Sequence, residues 1–184
     1  SPTLPNIASI ADMSRGKRSA HLDLRTEAAA ARLMELASEA DVFVQGYRPG
    51  AVDGLGFDPN TLAARRPGIV CVSLSAYGDD GPWASKRGFD SLVQTATGFN
   101  HAEAAAFGSD QPKALPFQVL DYASGFLMAF VAQVAMLRQR EEGGSWHARV
   151  SLAQTGHWLR SLGQARIETR PDPLADWKSH LVRW

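Results

Sequence analysis

The chain has 184 residues, a length that holds one domain with a hydrophobic core. Its 19 basic and 19 acidic residues cancel, so no overall field attracts it to nucleic acid or to an anionic membrane. The single cysteine, Cys71, excludes an internal disulfide framework and favours a reducing, cytoplasmic compartment. Because Cys71 lies in an apolar run, we expect a buried and unreactive thiol. The first residues lack the basic and apolar regions of a signal peptide.

The first half of the chain alternates between strand and helix patterns. The predicted elements are, in order, a strand at 20–24, a helix at 27–40, a strand at 41–45, a helix at 59–66 and a strand at 69–74. Thr26 and Asp58 are candidate N-caps for the two helices, and Pro59 suits a first helical position. The second and third strands are apolar throughout, which is typical of strands inside a sheet.

Strands joined by helices through short connections predict an α/β fold, a Rossmann-like open parallel sheet flanked by helices. In such sheets, ligands bind in the loops beyond the carboxyl ends of the strands. Three strands are few for a complete sheet, so we expect part of a larger protein. Residues 1–166 then form a portion of a large domain, and 167–184 form a truncated connector.

The second half of the chain continues the pattern. It is predicted to contain, in order, a helix at 90–96, a polar loop as far as Pro116, a long helix at 121–140, a strand at 146–152 and a helix at 153–166. The apolar stretch 125–137 is too short to span a bilayer, which indicates a buried helix.

Common catalytic and metal-binding motifs are absent from the sequence. There is no glycine-rich dinucleotide fingerprint, no phosphate-binding P-loop and no G-x-S-x-G elbow. The five histidines never pair at the spacing of metal ligands, and Cys71 has no partner, so we expect no metal.

Basic residues gather in the predicted loops. The segment 14–19 carries three of them, and Arg25, Arg48 and Arg87 lie in three further loops. Converging guanidinium and ammonium groups suit a ligand with several phosphates. The alternative is that these are solvated surface charges.

Asp121 directly precedes the long apolar helix and has two possible roles. As an N-cap it would accept a backbone N–H of the first turn. As a nucleophile it would use the same position, because the positive end of the helix dipole favours an ionised carboxylate.

An ordered series of short motifs resembles the class III CoA-transferases, the family of formyl-CoA transferase, carnitine CoA-transferase and α-methylacyl-CoA racemase. The series covers about residues 14–160 and consists of Arg15-Gly16-Lys17-Arg18-Ser19, Leu22-Asp23-Leu24-Arg25, Ala40-Asp41-Val42-Phe43-Val44, Tyr47-Arg48-Pro49-Gly50, Ser73-Leu74-Ser75-Ala76-Tyr77-Gly78, Gly81-Pro82, Gly88-Phe89-Asp90, Asp121-x-x-x-Gly125 and Gly143-Gly144-Ser145-Trp146 to Leu152.

The resemblance implies a covalent transfer of CoA. In such enzymes the aspartate that matches Asp121 attacks the acyl-CoA thioester, and an acyl-aspartyl anhydride and then an aspartyl-CoA thioester follow. CoA and acyl-CoA would be substrates, with no permanently bound cofactor and no metal. The implied CoA contacts are Leu22, Asp23, Leu24, Arg25, Gly46, Tyr47, Arg48, Arg87, Gly88, Phe89 and Asp90. A carboxylic acid would be the second substrate, and the full-length protein would be an interlocked homodimer.

Three positions depart from the family pattern. Position 46 is glycine where the transferases often carry asparagine, and position 54 is glycine where arginine is frequent. Phe89 stands where the racemases carry a histidine, and phenylalanine transfers no proton. The family's first strands and its small domain would also lie outside this sequence.

Two alternatives therefore stay open beside a CoA-transferase. The first is an acyl-CoA racemase, which Phe89 disfavours. The second is a non-catalytic half of a larger transferase that binds CoA or stabilises a dimer, which Gly46 and Gly54 favour. In that case Asp121 would only cap a helix.

Overall fold

The structure is a computed structural model, and it describes residues 13–163. This part of the chain contains three strands and six α-helices, and three of the helices follow one another between the second and third strands. They are α1 (Glu27–Glu39), β1 (Val42–Gln45), α2 (Pro59–Arg65), β2 (Val70–Ser75), α3 (Asp90–Ala96), α4 (Phe99–Ala106), α5 (Val119–Glu142), β3 (Trp146–Ser151) and α6 (Leu152–Ser161). A 3₁₀ turn at Asp53–Leu55 precedes α2.

The three strands form a parallel sheet in the order β1-β2-β3. Val42 pairs with Val70, and Val70 pairs with Trp146, so β2 lies at the centre. The prediction of an α/β fold with a parallel sheet is confirmed. All three carboxyl ends meet at one edge, called the carboxyl edge below, and that is where ligands bind in such sheets.

Helices cover both faces of the sheet. On one face, α1 and α2 bury Ala37, Leu62, the β2 residue Cys71 and Ile69 just before β2 in one core. On the other face, α5 packs against Val70 and Val72 through its sheet-facing side. A third cluster at the carboxyl edge joins α3, α5 and α6. Its buried members are Val93, Leu120 and Leu152.

Capping explains where the first two helices begin. The hydroxyl of Thr26 accepts the N–H of Ala29 at the start of α1. The carboxylate of Asp58 accepts the N–H groups of Asn60 and Thr61 at the start of α2. Both residues are therefore the N-caps that the sequence predicts.

Two predicted features of the first and middle segments are wrong. Residues 20–23 form no regular secondary structure and pair with no strand of the described chain, because alternation alone supplies no hydrogen-bonding neighbour. The predicted polar loop before Pro116 contains α4, which starts after Gly98 in the left-handed conformation at φ 82°. The alanine content of α4 favours a helix despite the polar residues around it.

The long helix α5 also differs from the prediction. It starts at Val119 rather than 121, and its N-cap is Gln118, so Asp121 is the third helical residue and not the cap. One side of α5 is buried, but the other is exposed, with Phe126 at 77% and Phe130 at 64%. By length and hydropathy alone the helix could cross a bilayer. This is weak evidence for a membrane span, because one side of the helix packs on the sheet. The predicted connector 167–184 lies outside the described residues.

Candidate active site

Asp121 lies beyond the carboxyl edge of the sheet. Near the other end of α5, the side chain of Gln139 approaches Gly68, two residues before β2. From Gln139 back to Asp121 the helix rises about 27 Å, whereas the chain from Gly68 to Ser75 advances only about 23 Å. The first turn of α5 therefore projects past the end of β2.

The side chain of Asp121 shares a helix face with the residues that pack on the sheet. At 3.6 residues per turn, Met128, Ala132 and Ala135 follow Asp121 along one side of α5. These three residues contact the core between α5 and the sheet. Asp121 itself is exposed, because the strands end before they reach it. It therefore faces the space above the carboxyl edge.

The pKa of the Asp121 carboxyl is raised above its usual range. The larger cause is partial loss of water to the surrounding protein, and the second is the negative charge of Asp90. The sequence argument from the helix dipole expects the opposite sign. The dipole favours the ionised form, but desolvation and a second carboxylate outweigh it. A carboxylate that has lost part of its hydration is suited to nucleophilic attack.

A buried polar cluster holds the backbone of Asp121. The carboxylate of Asp90, only 1% exposed, accepts the backbone N–H of Asp121 at 2.8 Å. Gln94 is also buried, and its side-chain amide donates to Asp90 and to the carbonyl of Phe117. Sequence reasoning missed Gln94, although its position four residues after Asp90 on α3 places the two side chains together.

The predicted phosphate ligand Arg25 is occupied by a neighbouring carboxylate. Its Nε and Nη2 atoms donate to the two carboxylate oxygens of Asp23 at 2.8 and 2.7 Å. The pair is solvent-exposed, and it holds the pKa of Asp23 below its usual range. Leu22 and Leu24 flank Asp23 and are half-buried. An exposed pair of this kind is weak, so Arg25 remains available to a phosphate.

The loop after β1 presents an exposed aromatic ring. Tyr47 is 67% exposed, and its backbone N–H donates to the side chain of Gln45. Gly46 and Arg48 beside it are also exposed. A Cβ added at Gly46 would meet no atom within 4 Å outside the neighbouring residues.

The segment after β2 returns tightly to the end of that strand. Gly88 approaches Ala76 so closely that a Cβ at position 88 would lie 2.5 Å from the Ala76 Cβ. The ring of Tyr77 packs edge-on against Trp83. Arg87 and Phe89 on either side of Gly88 are exposed.

The structure joins only part of the predicted site by direct contact. Within the described chain, a hydrogen bond links Asp121 to Asp90, but none links it to Arg25, Tyr47 or Arg87. The order of the elements places these three residues on the same side of the sheet as Asp121. Tyr47 follows β1, Arg87 follows β2 and Arg25 precedes α1, so all three lie at the carboxyl edge.

A cleft of about 410 Å³ opens between the ends of β2 and β3, the helix α5 and the helix α6. Its lining includes Tyr77, Asp79, Arg149, Gln154 and Trp158. None of the predicted catalytic or CoA-contacting residues lines it. A smaller cavity of about 130 Å³ lies at the opposite edge of the sheet, beside Asp41 and Arg66.

Comparison with known proteins identifies the family. The sequence profile of CoA-transferase family III matches residues 6–170. The chain belongs to CoA-transferase family III. The family III chain is 36% identical over 130 residues to a probable fatty acyl-CoA transferase, Rv3272, of Mycobacterium tuberculosis. It is 32% identical over 141 residues to an acetyl-CoA:oxalate CoA-transferase of Acetobacter aceti. These matches cover 71% and 76% of the chain.

Solved structures of two relatives share the fold of this family III chain. Rv3272 superposes with a TM-score of 0.74 at 33% identity and covers 80% of the chain. A CaiB/BaiF family protein of Brucella suis superposes with a TM-score of 0.71 at 25% identity. The chain spans 41% and 38% of those two structures and 32% and 36% of the two curated relatives.

Proposed function

We propose that the protein containing this chain transfers CoA between an acyl-CoA donor and a carboxylic acid, with Asp121 as the covalent carrier. The observation that supports this most is the position of Asp121, exposed above the carboxyl edge on the sheet-facing side of α5. Relatives named as acetyl-CoA:oxalate and succinate–glutarate CoA-transferases add support for the reaction class.

The proposed chemistry needs only the carboxylate and the two substrates. Asp121 attacks the thioester carbon, the C–S bond breaks, and a mixed anhydride and CoA thiolate form. The thiolate then attacks the aspartyl carbonyl, which releases the donor acid and leaves an aspartyl-CoA thioester. The acceptor acid attacks that thioester, which releases CoA thiolate and forms a second anhydride. The thiolate then attacks the acceptor acyl carbon of the anhydride, which forms the new acyl-CoA and releases the Asp121 carboxylate. Each step exchanges one anion for another, so no proton donor or permanently bound cofactor is required.

CoA is proposed to lie across the loops at the carboxyl edge. Arg25, Arg48 and Arg87 supply cations for its phosphates, and the exposed ring of Tyr47 suits stacking on adenine. The backbone and side chains around Leu22 and Gly88 complete the proposed contacts. This proposal for CoA binding does not depend on Asp121 being the nucleophile.

Mass spectrometry of the full-length protein tests the covalent step. After incubation with acetyl-, succinyl- or oxalyl-CoA and borohydride or hydroxylamine trapping, the peptide around Asp121 should carry a modification. Asp121→Asn should remove that modification and the transfer activity together. The matched control is Glu142→Gln, the same kind of change on the same helix about 30 Å away. A modified peptide elsewhere, or full turnover by Asp121→Asn, would exclude the assignment.

Racemisation is the second candidate reaction and is disfavoured at this site. Phe89 is 65% exposed beside Asp90 and cannot accept or donate an α-proton. Incubating a 2-methylacyl-CoA with the protein in deuterated water, without any acceptor acid, separates the two reactions. Incorporation of deuterium at the α-carbon would favour the racemase.

The remaining proposals concern the whole protein. A homodimer is supported by the outer side of α5, where an apolar surface that includes Phe126 and Phe130 is exposed. In the full-length protein, replacing both residues with glutamine should weaken self-association in sedimentation experiments. Unchanged affinity of the dimer would show that this surface is not the dimer interface. A cytoplasmic location is proposed from the single reduced cysteine.

A further inference from the structure

Asp90 is a buried carboxylate with an unusual set of partners. It is the first residue of α3, and its side chain is almost fully inaccessible to solvent. One carboxylate oxygen accepts the side-chain amide of Gln94, and the other accepts the backbone N–H of Asp121 at 2.8 Å. A buried carboxylate is retained only where hydrogen bonds replace its hydration, and here both oxygens are occupied. This leaves Asp90 little opportunity to contact CoA directly.

The helix α5 lacks a side-chain cap of its own. Its N-cap residue, Gln118, makes no side-chain hydrogen bond to the first turn. The first N–H groups of any helix have no partner within the helix, and the third is normally satisfied by the N-cap side chain. In α5 that third N–H belongs to Asp121, and its acceptor comes from α3. The negative charge of Asp90 at this position also interacts favourably with the positive end of the α5 dipole.

Polar and apolar contacts between α3 and the start of α5 surround Asp90. Gln94 bridges Asp90 and the carbonyl of Phe117, the residue two positions before α5. Val93 on α3 and Leu120 on α5 are both fully buried in the cluster at the carboxyl edge. The start of α5 is thus fixed to α3 by one apolar contact and two polar ones.

We infer that Asp90 is a positioning residue, a cap supplied by α3 that fixes the backbone from which the Asp121 side chain projects. The inference rests on the proposed function for its catalytic meaning, because it concerns the geometry of the proposed nucleophile. It also connects that nucleophile to the segment Arg87–Phe89, which directly precedes Asp90. If that segment moved on binding CoA, the side chain of Asp90 would transmit the movement to the backbone of Asp121.

Asp90 also supplies the charge that acts on Asp121. The residues that pack near the first turn of α5 from β2 and α6, such as Leu74, Leu152 and Thr155, carry no charge. The negative charge of Asp90 contributes to the raised pKa of Asp121, after desolvation. Asp90→Asn can keep its one oxygen as the acceptor for the Asp121 N–H, but it loses the acceptor for Gln94 and removes the charge. Asp90→Ala removes both acceptors and the charge.

Two measurements on the full-length protein test the inference. The first is hydrogen exchange at the Asp121 amide, resolved by electron-transfer fragmentation. Asp90→Ala should accelerate this exchange by about tenfold or more, and Asp90→Asn should accelerate it less. The second is the pH dependence of the covalent labelling of Asp121. Asp90→Asn should move its acid limb to lower pH, because removing a neighbouring negative charge favours ionised Asp121.

The outcomes separate this inference from the proposed function. Wild-type protein that never becomes labelled at Asp121 would refute the nucleophile, while the amide exchange would still decide the cap. Wild-type labelling combined with an unchanged acid limb in Asp90→Asn would overturn the inference alone. Unchanged amide exchange in Asp90→Ala would do the same. If Asp90→Ala does not fold, Asp90→Asn decides by its acid limb, which a purely structural role of Asp90 leaves in place. Glu142→Gln serves as the control in both measurements.

Discussion

The side chain of Asp90 and the backbone of Asp121 are joined by a 2.8 Å hydrogen bond across 31 positions of the chain. The contact places two carboxyl groups at the start of one long helix, one buried and one exposed. The buried carboxylate of Asp90 accepts a backbone N–H of the helix, and the exposed carboxylate of Asp121 remains available for the proposed nucleophilic role. Capping by a residue from another helix thus leaves the structural role and the proposed catalytic role on different side chains.

Replacing Asp121 with asparagine is expected to stabilise the protein at neutral pH. The folded pKa of Asp121 is raised above its unfolded value by desolvation and Asp90. Between those two values the folded state holds more protons, so the free energy of unfolding falls as pH rises through the window. Asparagine does not ionise, so the Asp121→Asn variant does not lose this free energy of unfolding. In urea unfolding, the variant should be as stable as wild type below the usual aspartyl pKa and more stable than wild type at neutral pH.

The opposite behaviour is expected for Asp58→Asn, which makes the same chemical change at a cap. Hydrogen bonds from Thr61 and Asn60 hold the pKa of Asp58 below its usual range. Its contribution is therefore present above the unfolded pKa and is lost as pH falls through the folded one. Asp58→Asn should lose stability relative to wild type as pH rises. If the stability of both variants relative to wild type changed with pH in the same direction, the surroundings of Asp121 would not disfavour its ionised form.

The thiol of Cys71 is expected to resist modification in the folded protein. Cys71 is 4% exposed in the core beneath α1 and α2, and burial raises its pKa to about 11, with a smaller contribution from Asp58. The thiolate is the reactive form, so both access and ionisation are lacking at neutral pH. Iodoacetamide should label the protein only after unfolding in urea. Rapid labelling of the native protein would show that the α1–α2 side of the sheet opens.

The sequence predicts those parts of the fold that depend on local pattern. The strands β1, β2 and β3 and the caps Thr26 and Asp58 each follow from neighbouring residues, because hydrophobic runs and caps act within a few positions. The helix α3 was also predicted at its observed bounds, 90–96. The strand expected at 20–24 failed because pairing is a tertiary property that alternation does not report.

The site was predicted less completely for the same reason. The position of Asp121 near a helix start was visible, but its exact place was not. α5 begins two residues earlier than predicted, where Asp90 provides an acceptor from another helix. A contact across 31 positions leaves no trace in local spacing. The resemblance to known transferases suggested Asp90 as a CoA contact, whereas its burial favours a role beneath the surface.

Restoring the family's side chains at two glycines is expected to strengthen CoA binding. At Gly46 and Gly54 an added Cβ meets no atom within 4 Å, and neither backbone has a positive φ. One new hydrogen bond from Gly46→Asn should lower the dissociation constant of CoA roughly two- to tenfold. If CoA lies as proposed, Gly54→Arg adds a cation to its binding surface and should give a gain in affinity that decreases with salt. Calorimetric titration measures both.

The control for this pair is Gly46→Ala, which adds the Cβ without the amide. It should leave the CoA affinity unchanged. Equal affinities for the alanine and asparagine variants would show that position 46 does not reach CoA. That outcome would favour the alternative in which this chain is the half of the protein without a complete site.

Gly88 is expected to be intolerant of any side chain, in contrast to Gly125. A Cβ at position 88 would lie 2.5 Å from that of Ala76, the residue directly after β2, so one of the two segments must shift. Gly88→Ala should therefore lower the free energy of unfolding by about 1–3 kcal/mol. Gly125→Ala, on α5 with no atom within 4 Å, should raise it by about 0.5–1 kcal/mol. Urea unfolding compares the two, and equal effects would contradict the close approach of Gly88 to β2. Because Gly88 fixes the segment that leads to Asp90, Gly88→Ala should also slow labelling of Asp121.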